Sequence, residues 1–305
     1  VGSGALANLY SFMATTKPGD TIVAPPASIG GHVTHHKNGA AGLYGLETIP
    51  APIDDANYTV NLIELEKLAK DVKPKLITIG GSLNLFPHPV KEIRKIADSV
   101  GAYLLFDAAH QCGLIAGKVW PQPLEDGAHL MTFSTYKSLG GPASGLVVTN
   151  DAVLAEKIDA IAYPGLTANF DAAKTAALGI TLQDWLAVGN GYAKMMVETA
   201  KMLASELDKL GLPIFAKEKG FTTSHQFAIV ANQFSGGQTA SKKLAKAGLL
   251  ACGINIPGQK VDGDNNAVRI GTPEIVRIGM KPEHMKHLAD FIYRGLTMAD
   301  PTPVQ

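Results

Sequence analysis

Three short runs, Leu76 to Ile79, Ala102 to Phe106 and Leu130 to Phe133, are apolar or β-branched almost throughout, with no alternation of polar residues. A strand with one wet face alternates, so runs like these call for a sheet covered on both sides, in practice a mostly parallel sheet packed between helices. Thr21 to Ala24 and Gly145 to Thr149 are two further candidate strands. Between the Leu76 and Ala102 runs, Val90, Ile93, Ile96, Ala97 and Val100 recur at helical spacing, with Lys91, Glu92, Arg94 and Lys95 turned outward. That segment is the crossover helix an α/β sheet requires.

In open α/β sheets the strand ends line a ligand crevice, so the residues that follow the apolar runs are where chemistry is sought. Phe106-Asp107-Ala108-Ala109-His110 puts an aspartate after one run, and Phe133-Ser134-Thr135-Tyr136-Lys137 puts a lysine after the next. Either alone is ordinary: aspartates follow strands in any α/β protein, and a lysine there is usually a solvated surface group. Together they supply what a pyridoxal-phosphate enzyme needs. The lysine forms a Schiff base with the cofactor aldehyde, and the aspartate keeps the pyridine nitrogen protonated, so that the ring accepts electrons released at the substrate's Cα.

Bulk properties narrow the partner. Lys+Arg and Asp+Glu are equal at 27 each, which gives no basic field for nucleic acid. The expected partner is a small molecule. The two cysteines, Cys112 and Cys252, form no metal-ligand or disulfide pattern, which fits a reducing, cytoplasmic setting. No stretch reaches the roughly 18 to 20 apolar residues of a membrane span, and Val1 to Asn8 lacks the basic region of a signal peptide. The chain starts without Met and inside a Gly-rich motif, so it is expected to be part of a longer protein.

Four further motifs are informative. Gly2-Ser3-Gly4-Ala5-Leu6-Ala7-Asn8 leads into an apparent helix, Leu6 to Thr15, whose start suits a phosphate. It also fits the dinucleotide fingerprint, but no strand precedes it and Ala24-Pro25-Pro26 follows the next strand in place of an acidic residue; a purely structural turn is the remaining alternative. Gly30-Gly31-His32-Val33-Thr34-His35-His36 holds three imidazoles without a carboxylate or thiolate at ligand spacing; against the metal reading stands one in which an imidazole lies flat on the pyridine ring. Ser82 in Gly80-Gly81-Ser82 follows a strand and either faces the crevice or caps the next element. Arg269, alone in Ala267-Val268-Arg269-Ile270-Gly271-Thr272-Pro273, is suited to a substrate carboxylate or to a structural ion pair.

Downstream, Leu182 to Leu210 reads as a long helix stopped by Gly211 and Pro213. Short strands at Gln226 to Ala231, Leu249 to Ile256 and Ala267 to Gly271, with helices near Thr239 to Ala247 and Pro282 to Thr297, then indicate a smaller α+β domain. The expected division is a large cofactor domain over residues 1–184 and a linking helix with a C-terminal α+β domain over 185–305.

Five of these motifs, in this order, resemble serine hydroxymethyltransferase and its aldolase relatives among the fold type I pyridoxal-phosphate enzymes, from Ser3 to about Leu296. Ser3 to Asn8 is similar to the family's S-G-S-Q-A-N phosphate loop, with Ala5 in place of the second serine. Lys17-Pro18-Gly19-Asp20-Thr21 is similar to its P-G-D-T turn, and Gly30 to His35 to G-G-H-L-T-H. The resemblance implies an α/β large domain with a mostly parallel sheet of roughly seven strands, plus the small C-terminal domain. It also implies roles: Ser3, Gly4 and Ala5 at the phosphate, His32 stacked on the ring, Ser82 at the phenolic oxygen, Asp107 at the pyridine nitrogen and His110 at the cofactor and substrate. Ser134 falls where phosphate is held, Lys137 on the Schiff-base lysine and Arg269 on the carboxylate arginine.

Departures from the family pattern bear on the reaction. Tyr136 stands where the family has histidine, and is assigned to the substrate side. Pro164-Gly165-Leu166-Thr167-Ala168-Asn169 replaces P-x-x-Q-G-G, whose glycines approach the neighbouring subunit's phosphate, and Ile254-Asn255-Ile256-Pro257 departs from the folate-contact segment. The family's N-terminal segment, which supplies a tyrosine and a glutamate to the partner's site, has no counterpart in the sequence. The expectation is a pyridoxal-phosphate enzyme that makes or breaks the Cα–Cβ bond of a small β-hydroxy α-amino acid, serine-to-glycine exchange with tetrahydrofolate coming first. A folate-independent threonine aldolase or transaldolase is the alternative, and a non-catalytic cofactor-binding or assembly subunit is a third. The resemblance further implies a homodimer or higher homo-oligomer with shared active sites.

Overall fold

The first helix, α1 (Gly4–Thr15), begins where Ser3 in extended backbone caps it, its Oγ accepting from the Leu6 N–H at 3.1 Å. In the computed structural model, which describes residues 1–304, the chain divides into two compact units. The first comprises Val1–Pro26, Gly31–Ser82 and Pro87–Gly189, and the second Ala27–Gly30, Leu83–Phe86 and all that follows Gly189.

In the first unit α1 is followed by β1 (Thr21–Ala24), α2 (Ala40–Leu43), β2 (Glu47–Pro50), a hairpin of β3 (Ile53–Asp54) and β4 (Thr59–Val60), and α3 (Leu62–Val72). Next come β5 (Leu76–Gly80), α4 (Val90–Val100), β6 (Tyr103–Asp107), α5 (Cys112–Ala116), β7 (Leu130–Ser134), β8 (Gly145–Val148) and α6 (Ala152–Ala160). Six strands form one sheet in the order β2-β1-β5-β6-β7-β8, parallel except for the antiparallel β7–β8 pair. The resemblance implies about seven, but no seventh strand joins this sheet among the described residues.

β5, β6 and β7 have no exposed residue, as their unbroken apolar character predicts. Phe12 and Ala14 of α1, with Leu154 and Ile158 of α6, pack with Ile22, Leu76, Leu105 and Leu130 in one core cluster. Each fully buried leucine there is worth about 1.5–3 kcal/mol. The crossover helix is α4, with Val90, Ile93, Ile96 and Ala97 buried as the spacing predicts. β5 ends at Gly80, whose φ of +86° sits where L side chains are strained, and a Cβ there would strike the Asp107 carbonyl. That turn delivers Gly81 and Ser82 to the strand ends.

The long helix α7 (Ala172–Lys209) starts ten residues before the apolar pattern does, and the boundary between the units falls within it. In the second unit β9 (Gln226–Val230), α8 (Gly237–Lys246), β10 (Cys252–Ile254), β11 (Ala267–Gly271), α9 (Pro273–Arg277) and α10 (Met285–Thr297) follow. Its three strands are antiparallel in the order β10-β11-β9. Leu203 and Leu207 of α7, Phe227 and Ile229 of β9, Val268 of β11, Leu244 of α8, and Met285 and Ile292 of α10 share its core.

Candidate active site

At the ends of β5, β6 and β7 the first unit opens a cleft. Its walls bring together Ser3, Gly4 and Ala5 from the start of α1, His32, Ser82, Asp107, His110, Ser134, Tyr136 and Lys137. Every residue that the sequence assigns to the cofactor therefore lines one cavity. Arg269 lies in the second unit on β11, half-buried, beside the buried His225, whose imidazole is held down to about 3 by burial and then by the Arg269 charge.

Asp107 is 1% exposed, and both oxygens of its carboxylate have hydrogen-bond partners. Oδ1 accepts from the Ala109 N–H at 3.0 Å, while Oδ2 accepts from Asn8 Nδ2 at 3.0 Å and from His35 Nε2 at 2.8 Å. Burial pushes the carboxyl up, but the hydrogen bond and the charge contributed by His35, with the hydrogen bonds from the Ala109 backbone and Asn8, outweigh it and hold the group well below the usual carboxylate range. It is an anion in a dry site.

Lys137 sits in a turn directly after β7, closed by Gly140 N–H donating to the Lys137 carbonyl at 2.9 Å and Gly141 N–H to Thr135 at 2.8 Å. The Thr135 hydroxyl donates to the Pro142 carbonyl at 2.6 Å, and Trp185 Nε1 donates to Leu139 at 2.8 Å, which fixes the far side of the turn. Ser138, buried behind the lysine, donates from Oγ to the His110 carbonyl at 2.5 Å and accepts from the Gly113 N–H at 2.9 Å. One hydroxyl so ties the Lys137 turn to the Asp107–His110 turn.

The histidine run resolves into three separate duties. His32 lines the cleft with Nδ1 against Thr34 Oγ1 at 2.8 Å, His35 faces Asp107, and His36 Nε2 donates to the Pro25 carbonyl at 3.0 Å. Asn8 and His35 are the residues that the motif reading missed. Asn8 closes the Gly-rich motif one turn into α1, and its partner Asp107 is 99 positions away, so only the polarity of an otherwise apolar helix face marked it.

The cleft suits pyridoxal phosphate on its own terms. A helix start without acidic residues opens on the cleft, an end that favours an anion, a Cβ on Gly4 would collide with the Ser134 hydroxyl so the backbone stays close, and a buried anion and an amine line the same walls. Such a pairing on a mostly parallel sheet defines a fold type I pyridoxal-phosphate enzyme. A profile of the family described as serine hydroxymethyltransferase matches residues 1–292, and the chain belongs to that family.

Its relatives include an alpha-methylserine aldolase from Variovorax paradoxus, 66% identical over 296 residues that cover 97% of this chain and 67% of the relative. A serine hydroxymethyltransferase from Archaeoglobus fulgidus is 40% identical over 292 residues, 95% of this chain and 66% of the relative. Among solved structures, L-threonine transaldolase from Pseudomonas fluorescens in its internal aldimine state superposes with a TM-score of 0.89 at 25% identity, over 99% of this chain and 69% of that one. The chain is thus a pyridoxal-phosphate enzyme of the kind that acts at a Cα–Cβ bond, as its sequence implies. Among the described residues no helix is long and apolar enough to cross a membrane.

Proposed function

We propose that this enzyme cleaves α-methylserine, or a closely similar α,α-disubstituted β-hydroxy amino acid, to an aldehyde and the shortened amino acid without folate. The observation that carries this reading is the gap between 66% identity to an alpha-methylserine aldolase and 40% to a serine hydroxymethyltransferase. Tyr136 in place of the family's histidine, half exposed beside Lys137, fits a changed substrate side.

Bound pyridoxal phosphate supplies an aldehyde for the substrate amine and a cationic ring that takes up the electron pair left at Cα. The chain's residues do the rest. Lys137 would hold the group at its aldehyde, with Ser3, Gly4, Ala5 and Ser134 around the phosphate and Ser82 at the phenolic oxygen. Asp107 stabilises the charge on the ring nitrogen, a preorganised electrostatic contribution of the kind that dominates many active sites. His32 covers the ring face, and His110 and Tyr136 handle the proton of the β-hydroxyl. Arg269, by its motif, is the residue that would take a substrate carboxylate. The hydroxyl proton leaves as the Cα–Cβ bond breaks, formaldehyde departs, and a proton added at Cα gives alanine.

The test is formaldehyde and alanine in equal amounts from α-methylserine with no folate present, and loss of both in Lys137→Ala. Turnover of serine only when tetrahydrofolate is added would replace this reading by the hydroxymethyltransferase one. We further propose a homodimer: α7 presents Ile180, Leu186 and Val188 to solvent, and Tyr163 and the 82%-exposed Phe170 lie just before it. The free thiols Cys112 and Cys252 fit a reducing, cytoplasmic setting.

A further inference from the structure

Two side chains, Asn8 and His35, converge on one oxygen of Asp107, and neither belongs to the cofactor's expected contacts. A carboxylate only accepts, so both Asn8 Nδ2 and His35 Nε2 must donate to Oδ2, at 3.0 and 2.8 Å. The 3.3 Å between these two nitrogens is therefore the approach of two donors to a shared acceptor. The Asn8 amide is fixed in that orientation from behind: its Oδ1 accepts from the Thr132 hydroxyl at 2.7 Å, and Nδ2 also donates to Thr34 Oγ1 at 2.9 Å.

His35 is 1% exposed, Phe12 packs against its ring edge-on at 5.5 Å, and Nδ1 has no hydrogen-bond partner among the described residues. A hydrogen on Nδ1 would be a buried donor with nothing to meet, a cost of about 1–3 kcal/mol. With Nε2 committed to donating, a neutral ring is the Nε2–H tautomer. Asn8 and His35 thus orient the carboxylate and favour its anionic form. The negative charge stays available for the cationic end of a ligand.

We propose that Asn8 and His35 are positioning residues for Asp107 and act on the ring nitrogen of pyridoxal phosphate through it. The proposal rests on the assignment of Asp107 to that nitrogen. A side chain that merely supports the cleft would affect any ligand of this shape, whereas one that works through Asp107 matters only when the ring carries a nitrogen. The experiment compares binding of pyridoxal phosphate with that of its 1-deaza analogue, in which carbon replaces the ring nitrogen and the aldehyde and phosphate are unchanged.

For His35→Leu and Asn8→Leu the expected result is a Kd for pyridoxal phosphate raised by about ten-fold, equivalent to about 1.4 kcal/mol, with the Kd for the deaza analogue unchanged. His35→Gln, which keeps a donor at the same place, should bind both ligands like the parent enzyme. Equal weakening of both ligands, or none of either, overturns the proposal. Failure of the unaltered protein to bind pyridoxal phosphate at all would instead overturn the functional reading beneath it. Should the leucine variants not fold, ¹⁵N-histidine spectra of the unaltered protein decide: His35 Nε2 must carry a hydrogen, and a ring whose Nε2 is unprotonated overturns the proposal.

Discussion

His88 and His225 are buried imidazoles, and each carries a cost that appears only in acid. Burial holds His88 down to about 4, where its Nδ1 meets the Thr59 hydroxyl at 2.8 Å; burial, reinforced by Arg269, holds His225 down to about 3. Both groups take up a proton near pH 6.5 in the unfolded chain, so below that pH the unfolded state binds protons that the folded state refuses. Their contribution is fully present above about pH 6.5 and is lost as pH falls, at about 1.4 kcal/mol per pH unit for each histidine. Urea unfolding between pH 7 and 5 should follow this slope, and His88→Gln should remove its share; an unaltered slope in that variant would show that His88 accepts its proton while folded. At this scale the site was legible wherever its chemistry is local. Asp107, Lys137, His32 and Ser82 sit in short motifs at strand ends or glycine turns, and all four line the cleft. Asn8 and His35 were not, because the partner that gives them meaning is 99 and 72 positions away and no spacing rule reaches so far.

Among the elements, the Lys137 turn and the short helix α5 are held to each other by Ser138. Ser138→Ala leaves the Gly113 N–H and the His110 carbonyl without their shared hydroxyl, and should lower stability by about 1–3 kcal/mol. Thermal denaturation would detect it, and Ser138→Thr, which keeps the hydroxyl, should recover most of the loss; an alanine variant as stable as its parent would show that the turn does not depend on this link. The elements that eluded a reading of apolar periodicity did so for physical reasons. Residues 172–180 are almost wholly exposed, so the first turns of α7 present no apolar stripe, and their helicity rests on alanine-rich propensity. β2 is a short edge strand that ends in Pro50, a place where proline costs no ladder bond. α3 did carry a signal: Asn61 caps it by accepting from the Glu64 N–H at 3.1 Å, and an asparagine three residues before a glutamate marks a helix start.

For the whole molecule the open question is what covers the apolar face of α7. Leu186 is 82% exposed and Ile180 66%, an arrangement that a lone chain in water has no reason to keep. If a second copy covers that face, light scattering after size exclusion should give twice the chain mass of 32.0 kDa. Leu186→Asp should then shift the mass toward the single chain, and a parent protein that runs as a monomer would refute the dimer. The fold class was the most legible level of all, since largely apolar strands alternating with amphipathic helices point to a covered, mostly parallel sheet.

The helix that opens the chain carries Ser3 and Gly4 at one end and Asn8 a turn and a half further on. A helix rises about 1.5 Å per residue and does not stretch, so α1 acts as a ruler laid beside the cleft, with one mark at the anion end and the other at Asp107. Where the helix start takes the phosphate and Asp107 the ring nitrogen, as proposed, a cofactor whose two groups stood farther apart, or closer, would meet one mark and miss the other. Selection by length is thereby built into a stretch of backbone that takes no part in the reaction.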